Sequence, residues 1–306
     1  MKSIFLTALA ISVAFVPLEH AEAKGKSIYS VTKVGQPNPK TRYGTTRVSS
    51  PVRAGKRAQK FELRHGDCGR DPNGWSDCEH DRQRIERSEF PGDRIQKVGK
   101  RTWYGWSMYL PSNFRDIGPS NTLLGQVKLT DWPNPIWFLN LREGRLRVMF
   151  AEPAVQIREC TAVKLSEMRG RWTDIVIYAD YSYNPKGESF AIYINGKKTC
   201  SKSAALLTPQ MVQNSRGSLY LKYGIYNSYV SNWLNRHKTK SVTPKAFNDK
   251  QKSGLVLKSS TSTPFSYDWG VTIPTQVVIY DEMRFGSSRD EVDIRTLEKS
   301  NVRPVD

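Results

Sequence analysis

From Phe61 onward the chain is written in short runs that alternate apolar and polar residues. They are "KFELR", "RTWYGWSMYLP", "NTLLGQVKL", "IWFLNLREGRLRVMF", "WTDIVIYADYS", "FAIYINGKK", "SLYLKYGIYNS" and "TQVVIYDEMRF". A two-residue period sends successive side chains to opposite faces of a strand, so each run predicts a β-strand with one face for a core. Asn195-Gly196 is a strong type I′ hairpin signal and Glu143-Gly144 a weaker one. Helical periodicity is nearly absent apart from a short helix expected between Arg289 and Ser300. The pattern predicts an all-β, two-sheet β-sandwich, most economically a jelly roll, over residues 61–290, with residues 291–306 as a C-terminal tail. Residues 24–60, basic and rich in Ser, Thr, Pro and Gly, predict an extended arm with at most an edge strand. The basic, turn-rich segment from Arg236 to Pro264 either walls a cleft or is a disordered insert.

The first 23 residues change the setting. A lysine, an apolar run and Ala21-Glu22-Ala23 have the layout of a secretory signal cut after Ala23, and the run is too short for a membrane span. A secreted or periplasmic protein of about 280 residues is expected, enough for one large β domain. Losing Lys2, Glu19 and Glu22 with the leader raises the formal net charge of +18 by one. Such an excess favours a polyanionic partner, and export turns the expectation from nucleic acid toward an anionic surface or an acidic polysaccharide, with no membrane insertion and a monomeric chain. The four cysteines Cys68, Cys78, Cys160 and Cys200 read as disulfides in an exported chain. Three connectivities are possible, and Cys68 with Cys78 and Cys160 with Cys200 is the preferred one.

Three strands put polar side chains where a core strand would not. "YLKYGIYNS" sets Tyr220, Lys222, Gly224 and Tyr226 on one face; "QVK" sets Gln126 with Lys128; "RSEF" sets Arg87 with Glu89. Together they suggest one concave, substrate-binding face.

Taken in order, "RSEF", "QVK" and "YLKYGIYNS", with "RTWYGWSMYLPSNF" between the first two, resemble the jelly-roll polysaccharide lyases: the heparin lyase I and glucuronan lyase group, with the related alginate lyases. The resemblance spans roughly Phe61 to Gly286 and implies cleavage of a 4-linked uronic acid polymer by β-elimination. Such a reaction removes the proton at C5, expels the oxygen at C4 and builds negative charge on the uronate carboxylate, so it needs donors rather than paired acids. By resemblance Tyr226 is the catalytic phenol. Gln126 holds the uronate carboxylate, Arg87 binds it or orders the site, Lys222 binds substrate or lowers the phenol pKa, Tyr220 lies on the binding face, Gly224 lets substrate approach the strand, and Glu89 anchors Arg87.

Lys128 stands where the family commonly has a histidine, and His65, His80 and His237 lie in no motif that would replace it. A single phenol suffices when the C5 proton and the C4 oxygen leave from the same face of the ring, as in D-glucuronate and D-mannuronate. Such a polymer is the expected substrate. A non-catalytic module binding acidic polysaccharide is the alternative. A glycoside hydrolase is rejected because the carboxylate pair that "EVDIRTLE" offers, Glu291 and Asp293, lies in the tail with no facing acid. No cofactor or metal is required, although Asp67, Asp71, Asn73, Asp77 and Asp81 form an oxygen-rich loop that would suit calcium.

Overall fold

The computed structural model describes residues 26–27, 33–35, 41–67, 77–88, 96–150, 158–215, 217–240, 269–300 and 304–305. In chain order the strands are β1 (Lys26–Ser27), β2 (Lys33–Gly35), β3 (Thr45–Val48), β4 (Ala58–Leu63), β5 (Arg82–Ser88), β6 (Arg101–Leu110), β7 (Asn121–Leu129) and β8 (Pro135–Arg142). They continue as β9 (Arg145–Phe150), β10 (Arg158–Lys164), β11 (Arg171–Asp180), β12 (Phe190–Ile194), β13 (Lys197–Lys202), β14 (Leu219–Ser228) and β15 (Gln276–Gly286). Among the described residues there are four short α-helices, α1 (Leu165–Met168), α2 (Pro209–Gln213), α3 (Val230–His237) and α4 (Ile294–Lys299).

The strands form two antiparallel sheets, as the alternation predicts. One runs β13-β12-β11-β6-β15-β4-β3, with β1 also paired to β15; the other runs β10-β9-β8-β7-β14-β5-β2. The inward positions of both supply one core that includes Tyr104, Trp106, Trp137, Leu139, Phe190, Tyr223, Ile225 and Tyr280. Several of its polar rings pair with one another: Trp137 Nε1 donates to the Tyr181 hydroxyl at 2.9 Å, which pairs with the Tyr104 hydroxyl at 2.9 Å, while the buried Trp106 Nε1 has no partner among the described residues. Buried donors without partners would each cost about 1–3 kcal/mol, so this network keeps the aromatic core affordable in polar terms.

Both predicted hairpins form. Asn195 and Gly196 have φ of 51° and 83°, Glu143 and Gly144 of 51° and 71°, which is the left-handed pair a type I′ turn needs. The arm contributes more than one edge strand: β1 and β3 join the first sheet and β2 the second. Cys160 and Cys200 are bonded, tying β10 at the edge of one sheet to β13 at the edge of the other. A closed loop of 40 residues confers about 4 kcal/mol in the chain-entropy account. Cys68 and the side chain of Cys78 lie outside the described residues, as do the leader-like segment and most of the long basic loop after α3. Among the described residues no helix is long and apolar enough to cross a membrane.

Candidate active site

The second sheet has an inward face of Leu221, Tyr223 and Ile225 on β14 and Val127 and Leu129 on β7, all in the core. Pleating therefore turns Tyr220, Lys222 and Tyr226, with Gln126 and Lys128, outward together. Tyr220 pairs with Lys128 and Lys222 with Gln126 across the β14–β7 ladder, so these four side chains are immediate neighbours.

On β5 the outcome differs from the sequence reading. Arg87 pairs with Tyr223 and Ile85 with Ile225, so Arg87 takes the inward parity and does not share the face of Tyr226. Arg84 pairs with Tyr226, Glu86 with Gly224 and Arg82 with Ser228. The residues that complete the outward face are thus Arg82, Arg84 and Glu86. A one-residue change of parity moves every side chain of a strand to the other face. A signal was available: Ile85 is the one apolar residue of "RQRIERS", and its parity marks the core side. Glu89, expected to anchor Arg87, lies outside the described residues.

Glu86 organises the centre. It is 2% exposed, accepts from Lys222 Nζ at 2.5 Å on one carboxylate oxygen and from Gln126 Nε2 at 2.7 Å on the other. A carboxylate only accepts, so Glu86 forces the amide nitrogen of Gln126 toward itself and leaves the second N–H of that group to serve a ligand. Arg84 donates from Nε to Asp77 at 2.8 Å, and Asp77 is itself 1% exposed, so the guanidinium is held from below by a buried acid. The described carboxylates of the oxygen-rich loop are all engaged with protein: Asp67 with Tyr43 and Arg64, Asp77 with Arg84, Asp81 with Ser231. Among the described residues no group of three or more His, Cys, Asp or Glu side chains could hold a metal ion.

Gly224 has φ of 131°, and a Cβ there would meet the Ile85 carbonyl oxygen at 2.3 Å and the Glu86 Cα at 2.8 Å. Glycine is needed because β5 comes so close, rather than for room on the substrate side. The β14–β7 register shifts between Tyr223 and Tyr226, a bulge at the same place. From the opposite sheet the fully buried Tyr280 hydroxyl reaches the carbonyl oxygens of Leu124 at 2.6 Å and Gly224 at 2.8 Å, fixing the bulge that aims Tyr226.

Electrostatics shift Tyr226 and Lys128 in opposite directions. Burial pushes the Tyr226 phenol up to about 12, with Glu86 adding to the rise while Arg82 and Arg84 oppose it. Burial, and then the neighbouring Lys222 ammonium, bring Lys128 down to about 8. Lys222, bound to Glu86, stands 6.0 Å from the Tyr226 ring centroid; the cations that favour the phenolate are Arg82 and Arg84. Tyr220 is also raised to about 12 by burial. The Tyr226 hydroxyl has no hydrogen-bond partner among the described residues, so it is available to a ligand. None of the three described histidines belongs to β5, β7 or β14: His65 accepts from the Ile273 N–H, His80 ends the 3-10 turn that precedes β5, and His237 stacks on Trp233. The face continues onto β8 and β9 through Arg142, Arg145 and Arg147, with Glu159 paired to Arg147 at 3.6 Å.

This arrangement groups cations, an amide and phenols on one face, with the central carboxylate among the described residues, Glu86, bound to Lys222 and Gln126. The fold is similar to that of an endo-β-1,4-glucuronan lyase from the fungus Trichoderma reesei, at a TM-score of 0.55 and 16% identity, over 88% of this chain and 96% of that one. Two alginate lyases, A1-II′ and AlgAT5 of polysaccharide lyase family 7, match at TM-scores of 0.46 and 0.41. Their identities are 12% and 13%, covering 85% and 83% of this chain and 95% and 99% of theirs. No curated protein sequence matches the chain. The sequence model of a family described as polysaccharide lyase matches residues 19–252, most of the chain and nearly all of the site. The chain belongs to that polysaccharide lyase family and is a lyase.

Proposed function

We propose that this lyase cleaves a 4-linked uronic acid polymer by syn β-elimination, with Tyr226 as the residue that moves the proton. In this reading the Tyr226 phenolate takes the C5 proton, the C5 electron pair forms the C4–C5 double bond, and the C4–O bond breaks with its pair passing to oxygen. The phenol then returns the proton to that oxygen, so Tyr226 ends as it began. Gln126, Lys128 and Arg84 neutralise the carboxylate while charge develops on it, and Tyr220 and Lys222 border the bound chain. Arg84 takes the role that the sequence pattern suggested for Arg87.

One observation carries the reading: the Tyr226 hydroxyl, without a hydrogen-bond partner among the described residues, stands on a face rich in Arg and Lys whose strands β5, β7 and β14 contain no histidine. A phenol at about 12 is protonated at pH 7, so forming the phenolate in the free enzyme costs about 7 kcal/mol. Arg82 and Arg84 act against that cost. A face with one proton-transfer phenol fits D-glucuronate or D-mannuronate linkages, in which both leaving groups depart from the same side. Export of the enzyme accords with the leader-like first 23 residues and with the Cys160–Cys200 disulfide.

The test is a panel of glucuronan, poly-mannuronate, poly-guluronate and iduronate-rich heparin, followed by the ultraviolet absorbance of the new unsaturated end. Cleavage is expected for the first two polymers and little for the others. Preference for guluronate or iduronate, with Lys128→Gln inactive, would make Lys128 the base and overturn the single-phenol mechanism.

A further inference from the structure

The sheet that lacks Tyr226 carries an outward feature of its own. Tyr104, Ile177 and Ile192 point into the core, so their neighbours Trp103, Tyr178 and Tyr193 point out, where all three are partly exposed. Trp103 pairs with Tyr178 across the β6–β11 ladder, and its ring centroid lies 5.0 Å from that of Tyr178 and 6.2 Å from that of Tyr193. An outward aromatic cluster of this kind forgoes burial that the core could have used.

The cluster runs directly into a basic pocket. The Arg289 guanidinium sits 4.2 Å from the Tyr193 ring centroid, held there by Asp293 at 2.9 Å and the Gly196 carbonyl at 3.2 Å. It forms one wall of an open cavity of about 390 Å³ between the Asn195-Gly196 turn and α4, lined by four cations, Lys197, Arg289, Arg295 and Lys299, and one carboxylate, Asp293. Asp293 is taken by Arg289, and among the described residues Lys197, Arg295 and Lys299 make no ion pair. Cations left unpaired beside flat apolar rings have the two chemistries of an acidic polysaccharide: carboxylates at intervals, and sugar rings with one C–H face.

We propose that this surface is a second binding site for acidic polysaccharide, remote from the cleavage face. Trp103 and Tyr178 offer the platform for sugar C–H faces, and the pocket takes uronate carboxylates. Holding a long polymer there raises its effective concentration at the other sheet without taking part in chemistry. The proposal rests on the uronate reading of the substrate.

The test measures binding separately from cleavage. In the full chain carrying Tyr226→Phe, so that polymer is not cut, retention on long poly-mannuronate and on polyphosphate is compared by affinity electrophoresis. Arg295→Glu with Lys299→Glu, both at the surface, is expected to weaken retention on poly-mannuronate roughly five- to thirtyfold. Trp103→Ala is expected to weaken poly-mannuronate binding but not polyphosphate binding. With Tyr226 intact, both variants should cut a mannuronate tetrasaccharide at the parent rate. Unchanged retention in the charge-reversed variant overturns the proposal. So does a charge-reversal loss equal on both polymers with no effect of Trp103→Ala, which marks a plain basic patch. If the parent binds polymer through this surface yet cuts none of the uronates, the functional reading fails and the second site stands.

Discussion

The outward faces of the two sheets use the same residue types to opposite ends. On the β6–β15–β4 side, acids and bases are matched. Arg53 from the arm binds Asp174 and Glu298, Lys60 and Arg64 flank Glu62, and Arg284 pairs with Glu282 at 2.8 Å with both nearly unexposed. Backbone N–H groups of Arg53, Ala54 and Val305 donate into Asp281 and Glu282, so the arm and the C-terminal end are strapped over that region. On the β14 side, Arg82, Arg84, Lys128 and Lys222 share a face whose central acid is Glu86, buried beneath them. Matched charges serve the fold. Excess charge of one sign costs stability by self-repulsion, as where Lys222 adds to burial in lowering Lys128, and it is retained where an anion will relieve it.

The comparison is broken most sharply at Tyr226. Tyr226→Phe removes one hydroxyl that no described residue uses, so turnover should fall about a thousandfold or more while the midpoint of thermal unfolding stays put. Near-native rates would remove Tyr226 from the chemistry. The matched face should answer in the other currency. Arg284→Met strands the Glu282 carboxylate in the interior and should cost about 3–5 kcal/mol in urea unfolding, with kcat per folded molecule unchanged.

The parity of β5 makes a third contrast between adjacent arginines. Arg84→Ala should reduce kcat/KM by about 2–4 kcal/mol, because it deletes charge facing the uronate carboxylate. Arg87→Ala should leave kcat/KM on acidic polymer near the parent value. Equal losses would mean that β5 presents the other face in solution.

The smallest effect concerns pH. If Tyr226 acts as phenolate and Lys128 as a cation, kcat/KM should rise about tenfold per pH unit below pH 8 and level off above it, as Lys128 loses its proton. A lysine base beside a neutral phenol would give the same curve, so the variants decide. Lys128→Arg keeps its charge and should go on climbing above pH 8, and Lys128→Gln should be about tenfold slower without being inactive. For stability the sign is opposite to that of a paired lysine. The folded-state value lies below the ordinary one, so folding expels a proton between about pH 8 and 10.5, and Lys128 destabilises the fold less as pH rises through that window.

Much of this protein is legible along the chain. Alternation with period two announces strands, the Asn-Gly pair announces its hairpin, and the order of "QVK" and "YLKYGIYNS" brings Gln126, Lys128, Tyr220, Lys222 and Tyr226 onto one face, because in each strand the apolar residues between them leave a single parity for the core. The short C-terminal helix is legible for the same reason. β5 is less legible because Ile85 is the single apolar mark of the core parity in "RQRIERS", a strand otherwise polar on both faces and strongly dependent on its neighbours for its orientation. Pairing with β14 turned Arg84 and Glu86 outward and Arg87 inward, and no local pattern of charges contains that choice. The need for Gly224, the grip of Tyr280 on the bulge and the opposed shifts of Tyr226 and Lys128 likewise belong to the tertiary structure. Each is set by what lies across a sheet or across the core, at sequence separations of 56 residues between Tyr280 and Gly224 and 136 between Lys222 and Glu86. Side-chain period is a property of the strand alone, whereas burial and Coulomb fields are sums over neighbours that only the packed chain brings within reach.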